Sequence, residues 1–98
     1  MKVQLHVNVT QGDINKGVPS SECLCPIALA ANRAVRQAGL GARLVRVNRV
    51  KLMISRAAPK SLPPEARRFI DEFDYYGGRW VKPFGFDFDF EMEIRKPA

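Results

Sequence analysis

Residues 84–94 read Phe-Gly-Phe-Asp-Phe-Asp-Phe-Glu-Met-Glu-Ile, an alternation that puts Phe84, Phe86, Phe88, Phe90, Met92 and Ile94 on one side of an extended chain and Asp87, Asp89, Glu91 and Glu93 on the other. Successive strand side chains point to opposite faces, so the run predicts a sheet with one face against a core and one in water. Any fold for this chain has to supply an apolar layer to cover that row of phenylalanines. The pattern defines a structural element and carries no chemistry of its own.

The same period recurs at the start, where Val3, Leu5, Val7 and Val9 alternate with Lys2, Gln4, His6 and Asn8. Thr10-Gln-Gly-Asp13 then resembles a helix cap opening one short turn that closes at Gly17. Pro26 fits a first helical position, and Ile27, Ala30, Ala31, Ala34, Val35 and Ala38 form an apolar stripe ended by Gly39, with Leu40 placed to fold back on the last turn. Val45 and Val47, then Val50, Leu52 and Ile54, predict a hairpin turning at Asn48-Arg49, where Asn tolerates positive φ. After a loop through Ser61, Pro63-Pro64-Glu65 opens a second helix carrying Ala66, Phe69, Ile70 and Phe73, closed by Gly77-Gly78. Arg67 with Asp71 and Arg68 with Glu72 are spaced as ordinary surface pairs on it.

Strand, helix, strand, strand, helix, strand predicts an α+β two-layer sandwich with both helices on one face of the sheet, most economically the ferredoxin-like order or a close variant. In that order the last strand lies beside the first, and the hairpin's first strand forms the opposite edge. The outer sheet face would then grade from the acidic row through Lys2 and His6 to Lys51 and Arg46. At 98 residues the chain has room for one core, so residues 1–98 are read as one domain. No apolar run approaches the roughly 20 residues of a membrane span, and Met1-Lys2 leads straight into alternating residues rather than a signal peptide. No membrane partner is expected, and the expected location is the cytoplasm.

Charge is unevenly distributed. The net charge is +6, yet residues 1–60 hold 10 basic and 2 acidic side chains while residues 61–98 hold 6 basic and 8 acidic ones. Arg33, Arg36, Arg43, Arg46, Arg49 and Lys51 are the residues that could grip phosphates, in a salt-dependent and sequence-independent way. Base stacking on the sheet is not expected, because the phenylalanines belong to the core.

No catalytic set is complete, and neither an enzyme nor a cofactor is expected. Cys23-Leu-Cys25-Pro puts two thiols just before a helix start, where a thiolate would be favoured. However, redox pairs have two intervening residues, and a zinc site needs about four ligands. Two cysteines so placed read first as packing residues, with a thiol or metal role as the weaker alternative. His6, the one histidine, has no evident nucleophile or orienting partner and reads as a surface residue. The acidic row spaces its carboxylates about 7 Å apart along the strand, too far for one compact cation site. Tyr75, Tyr76, Arg79 and Trp80 are of the types that anchor protein interfaces, against the plainer reading that Trp80 closes one end of the core.

The segments Val9-Thr-Gln-Gly-Asp-Ile-Asn-Lys-Gly17, Cys25-Pro-Ile-Ala-Leu-Ala30, Leu62-Pro-Pro-Glu-Ala-Arg67, Phe69-Ile-Asp-Glu-Phe-Asp74 and Lys82-Pro-Phe84 resemble a group of short phage and prophage proteins to which no reaction is assigned. The group's cysteines are separated by two residues and those here by one, which argues against a shared metal or redox site. The resemblance implies stoichiometric binding to a host protein or ribonucleoprotein, as in an anti-CRISPR-like inhibitor of host defence. The alternative is nucleic-acid binding by the basic half. Free sheet edges would permit dimers.

Overall fold

A computed structural model describes residues 2–40, 44–55 and 57–91. The chain runs β1 (Lys2–Val9), α1 (Gln11–Lys16), α2 (Pro26–Gln37), β2 (Val45–Val47), β3 (Lys51–Ile54), β4 (Lys60–Ser61), α3 (Pro64–Tyr76) and β5 (Phe84–Glu91). It is an α+β fold whose described strands form two antiparallel sheets, compatible with a two-layer sandwich.

β1 and β5 pair along their whole lengths. Val3 faces Phe90, Leu5 faces Phe88, Val7 faces Phe86 and Val9 faces Phe84, so both alternating rows meet on one inner face. Phe86, Phe88 and Phe90 are buried, as are Leu5, Val7 and Val9. The outer face pairs Lys2 with Glu91, opposite charges across the ladder, and sets His6 opposite Asp87. Met92, Glu93 and Ile94 lie outside the described residues.

The second sheet has the order β2-β3-β4. β4 was expected to be loop, and it changes the topology. By pairing with β3, and with Leu62 N–H donating to Val50 O at 2.8 Å, it takes the edge of β3 that the ferredoxin-like order reserves for β1. The other edge of β3 belongs to β2, and Val47 of β2 donates to Glu22 O at 2.8 Å in the loop before α2. Among the described residues no pairing joins β1 to β3, so the single graded sheet face gives way to two sheets, the acidic row on one and Arg46 and Lys51 on the other.

α2 contacts both β1 and β2 and so links the sheets. Its buried face is mostly alanine (Ala28, Ala30, Ala31, Ala34), which lets the helix axis lie close to the strands, with Ile27 and Val35 filling the space between. The helix stops where expected. Gly39 adopts φ 74°, and Leu40 N–H reaches Val35 O at 3.3 Å while its side chain packs on the core. The β2–β3 turn closes differently from expectation. Asn48 keeps negative φ and its Oδ1 accepts from Val50 N–H at 2.9 Å and Lys51 N–H at 2.6 Å, so side-chain hydrogen bonding replaces the left-handed residue.

Candidate protein-binding surface

α3 begins at Pro64, buries Ala66, Phe69, Ile70 and Phe73, and ends where Gly77 takes φ 77° and donates to Phe73 O at 2.8 Å. The next glycine is held close. A Cβ on Gly78 would sit 2.9 Å from Ile14 Cγ2, so the turn lies directly on α1. Val81 then enters the core, and between these anchors Trp80 is left outside.

The residues after the last buried turn of α3 form an aromatic group in solvent. Tyr75 is 81% exposed, Tyr76 56% and Trp80 69%, so none of them closes the core. Tyr75 and Tyr76 meet edge to face with centroids 4.6 Å apart, and Tyr76 and Trp80 meet at 6.0 Å. Arg79 is exposed in the same turn. Three of the four interface candidates thus meet where α3 ends, with Arg79 exposed in the turn between Tyr76 and Trp80.

Polar residues surround the group. Tyr75 and Tyr76 share a cleft of about 570 Å³ with Ser20, Arg49, Asp71, Glu72 and Asp74. Arg49 Nε donates to Asp71 Oδ1 at 3.2 Å, and Ser20 N–H donates to Asp74 Oδ1 at 2.8 Å from a residue at φ 56°. Asp71 therefore pairs with the β2–β3 turn, a partner that helical spacing could not reveal.

The described basic candidates differ in their surroundings. Arg33 is structural: its Nη1 and Nη2 donate to the two carboxylate oxygens of Asp13 at 2.9 and 2.7 Å, and Nη2 also donates to Asn8 O at 2.8 Å. Asp13 in turn completes the cap of α1. It accepts from Thr10 N–H at 2.9 Å while its own N–H donates to Thr10 Oγ1 at 3.2 Å. Burial alone would raise the Asp13 carboxyl, but the hydrogen bonds from Arg33 and Thr10 and the guanidinium charge together hold it below its ordinary value. The bond to Asp13 likewise holds Arg33 above its own. Arg49 is taken by Asp71. Arg36 on α2, and Arg46 and Lys51 on the outward side of β2–β3, are exposed without an ion pair among the described residues. Arg36 belongs to α2 and Arg46 and Lys51 to the β2–β3 hairpin. Arg43 lies outside the described residues.

The two thiols part company. Cys25 is buried as the N-cap of α2, its Sγ accepting from Ala28 N–H at 3.4 Å, and burial pushes the thiol up from its ordinary value despite that contact. Cys23 is exposed, and neither cysteine is in a disulfide. Among the described residues no group of three His, Cys, Asp or Glu is placed to hold a metal ion. His6 hydrogen-bonds through Nδ1 to Asp87 Oδ1 across the β1–β5 ladder, an exposed pair remote in sequence. No described helix is long and apolar enough to cross a membrane.

Fold and site together define an α+β protein with an exposed aromatic turn at a helix end. No protein-family model, curated protein or solved structure matches the chain.

Proposed function

We propose that this is a small binding protein that acts stoichiometrically on a host macromolecule through the turn carrying Tyr75, Tyr76, Arg79 and Trp80, as a phage-type inhibitor of host defence does. The observation that carries this reading is the exposure of three large aromatics, Tyr75 against Tyr76 and Tyr76 against Trp80, on a backbone pinned by Gly78 against Ile14 and by Val81 in the core. Burying apolar surface is worth about 25 cal/mol per Å², and aromatic anchors on a rigid support bring little conformational entropy to lose. A free protein keeps such a group in water at a cost that binding removes. The test is retention of host proteins and ribonucleoproteins from a bacterial extract, comparing the wild type with Tyr76→Ala/Trp80→Ala and Arg46→Glu/Lys51→Glu. The proposal expects one species retained by the wild type and by the charge-reversed variant, in a saturable ratio, and lost from the aromatic variant. Retention that survives loss of both aromatics refutes it.

A second reading, phosphate-backbone binding, rests on Arg46 and Lys51 sharing the outward side of β2–β3 with no ion pair among the described residues. It predicts salt-sensitive binding to any oligonucleotide, abolished by the charge reversal and untouched by the aromatic one. The thiol alternative has the least support, since the buried Cys25 leaves Cys23 without a nearby partner thiol at the surface.

A further inference from the structure

We propose that Glu72, Tyr76 and Trp80 form a receptor for one cationic side chain, a lysine or arginine presented by the partner protein. This rests on the surface reading above and names the chemistry of its partner. Glu72 and Tyr76 are four residues apart on α3 and so lie on one face. Trp80 returns beside them after the Gly77-Gly78 turn, and the three side chains line a cleft of about 330 Å³. The two rings stand with centroids 6.0 Å apart and planes inclined at 58°, giving two π faces to one space.

Three independent features favour a cation there. Aromatic faces attract cations through the ring quadrupole, Trp most strongly. The carboxylates on this side of α3 are not equivalent: Asp71 is held by Arg49 and Asp74 by Ser20 N–H, whereas Glu72 makes no hydrogen bond or ion pair among the described residues. α3 also ends at Tyr76 with no basic residue in its own last turn, so the helix itself supplies no cation to the negative end of its dipole beside the rings. Nearby cations are Arg79 in the turn and Arg68 and Lys82, which line the adjoining cleft with Glu65, Glu72 and Trp80 rather than this one. The cleft is open, which suits a side chain delivered from another surface.

The test uses ¹⁵N-labelled full-length protein titrated with acetyl-Gly-Arg-Gly-amide, the lysine equivalent, and the citrulline equivalent, which matches arginine in shape without its charge. The Trp80 indole N–H and the Glu72 and Tyr76 amides are expected to shift with the cationic tripeptides and not with citrulline. Glu72→Gln should weaken that response about two- to fivefold, the range an exposed ion pair supplies, and Trp80→Ala should abolish it. Trp80 is exposed and Glu72 half-buried, and neither belongs to the core, so the rest of the spectrum should superimpose, which confirms folding. Equal shifts with citrulline, an unchanged affinity in Glu72→Gln, or the same resonances moving with a thymidine oligonucleotide would overturn the inference. If the host partner is lost with Trp80→Ala yet retained by Glu72→Gln, and the cationic tripeptides do not bind, the receptor fails while the binding surface stands. If the tripeptides bind as described but no host partner depends on Trp80, the surface reading fails and the receptor stands.

Discussion

Replacing Arg33 with methionine keeps most of the aliphatic stem and removes the guanidinium, stranding the Asp13 carboxylate with Thr10 N–H as its remaining donor. Breaking a fully buried ion pair costs about 3–5 kcal/mol. Here the Asp13 side chain is 7% exposed but that of Arg33 is 41% exposed, so water reaches the cationic end and screens the pair. The loss then falls toward the range for hydrogen bonds to charged groups, and about 2 kcal/mol is expected. For a domain of this size that is a drop of roughly 8–16 °C in Tm. The acid dependence has a definite sign. Asp13 is held below its ordinary value, so its contribution is complete above the unfolded-state value of about 4 and is lost as pH falls through the folded-state value. Urea unfolding followed by far-UV circular dichroism should show the full gap between wild type and Arg33→Met at pH 7, with unchanged m-value, and a smaller gap at pH 3. A gap under about 0.5 kcal/mol at pH 7, or one that persists in acid, refutes the assignment of Arg33 to a structural pair.

Trp80→Ala and Tyr76→Ala should each change stability by less than about 1 kcal/mol, because the rings stand outside the core; a larger loss in thermal melts would return Trp80 to a packing role. Phe88→Ala, in contrast, should cost about 3–5 kcal/mol by denaturant titration, since Phe88 is 3% exposed opposite Leu5. A thiol reagent on native protein should modify Cys23 rapidly and Cys25 only on unfolding, and equal native rates for both would contradict the burial of Cys25. Gly17→Ala should destabilise the protein by more than 1 kcal/mol in the same melts, because a Cβ there would lie 2.5 Å from the rigid Pro26 ring and 2.9 Å from Asp13 O; a neutral result would show that the α1–α2 junction relaxes freely.

Local rules carried the sequence reading wherever neighbours in sequence decide the outcome. The period-two rows of β1 and β5, the Thr10–Asp13 cap, Pro26 and Pro64 at helix starts, and Gly39 and Gly77 at helix ends all depend on residues within one turn or one strand. The pairing of β1 with β5 is an expectation of the ferredoxin-like order, and the described strands form it. What the sequence could not decide involves groups far apart in the chain. Whether β3 accepts β1 or β4 at its edge depends on a two-residue strand too short to show a period. Arg33 looks like any exposed helical arginine until Asp13, 20 residues earlier, is placed beneath it, and Asp71 has suitable partners at helical spacing yet meets Arg49 instead. Trp80 was open between core and surface, because composition cannot say on which side of a turn a large ring falls; the fit of Gly78 on Ile14 and the entry of Val81 into the core place it in water. Periodicity and capping are short-range and survive in the sequence, whereas edge competition, ion pairing and the side a turn faces are settled only when distant segments compete for the same space.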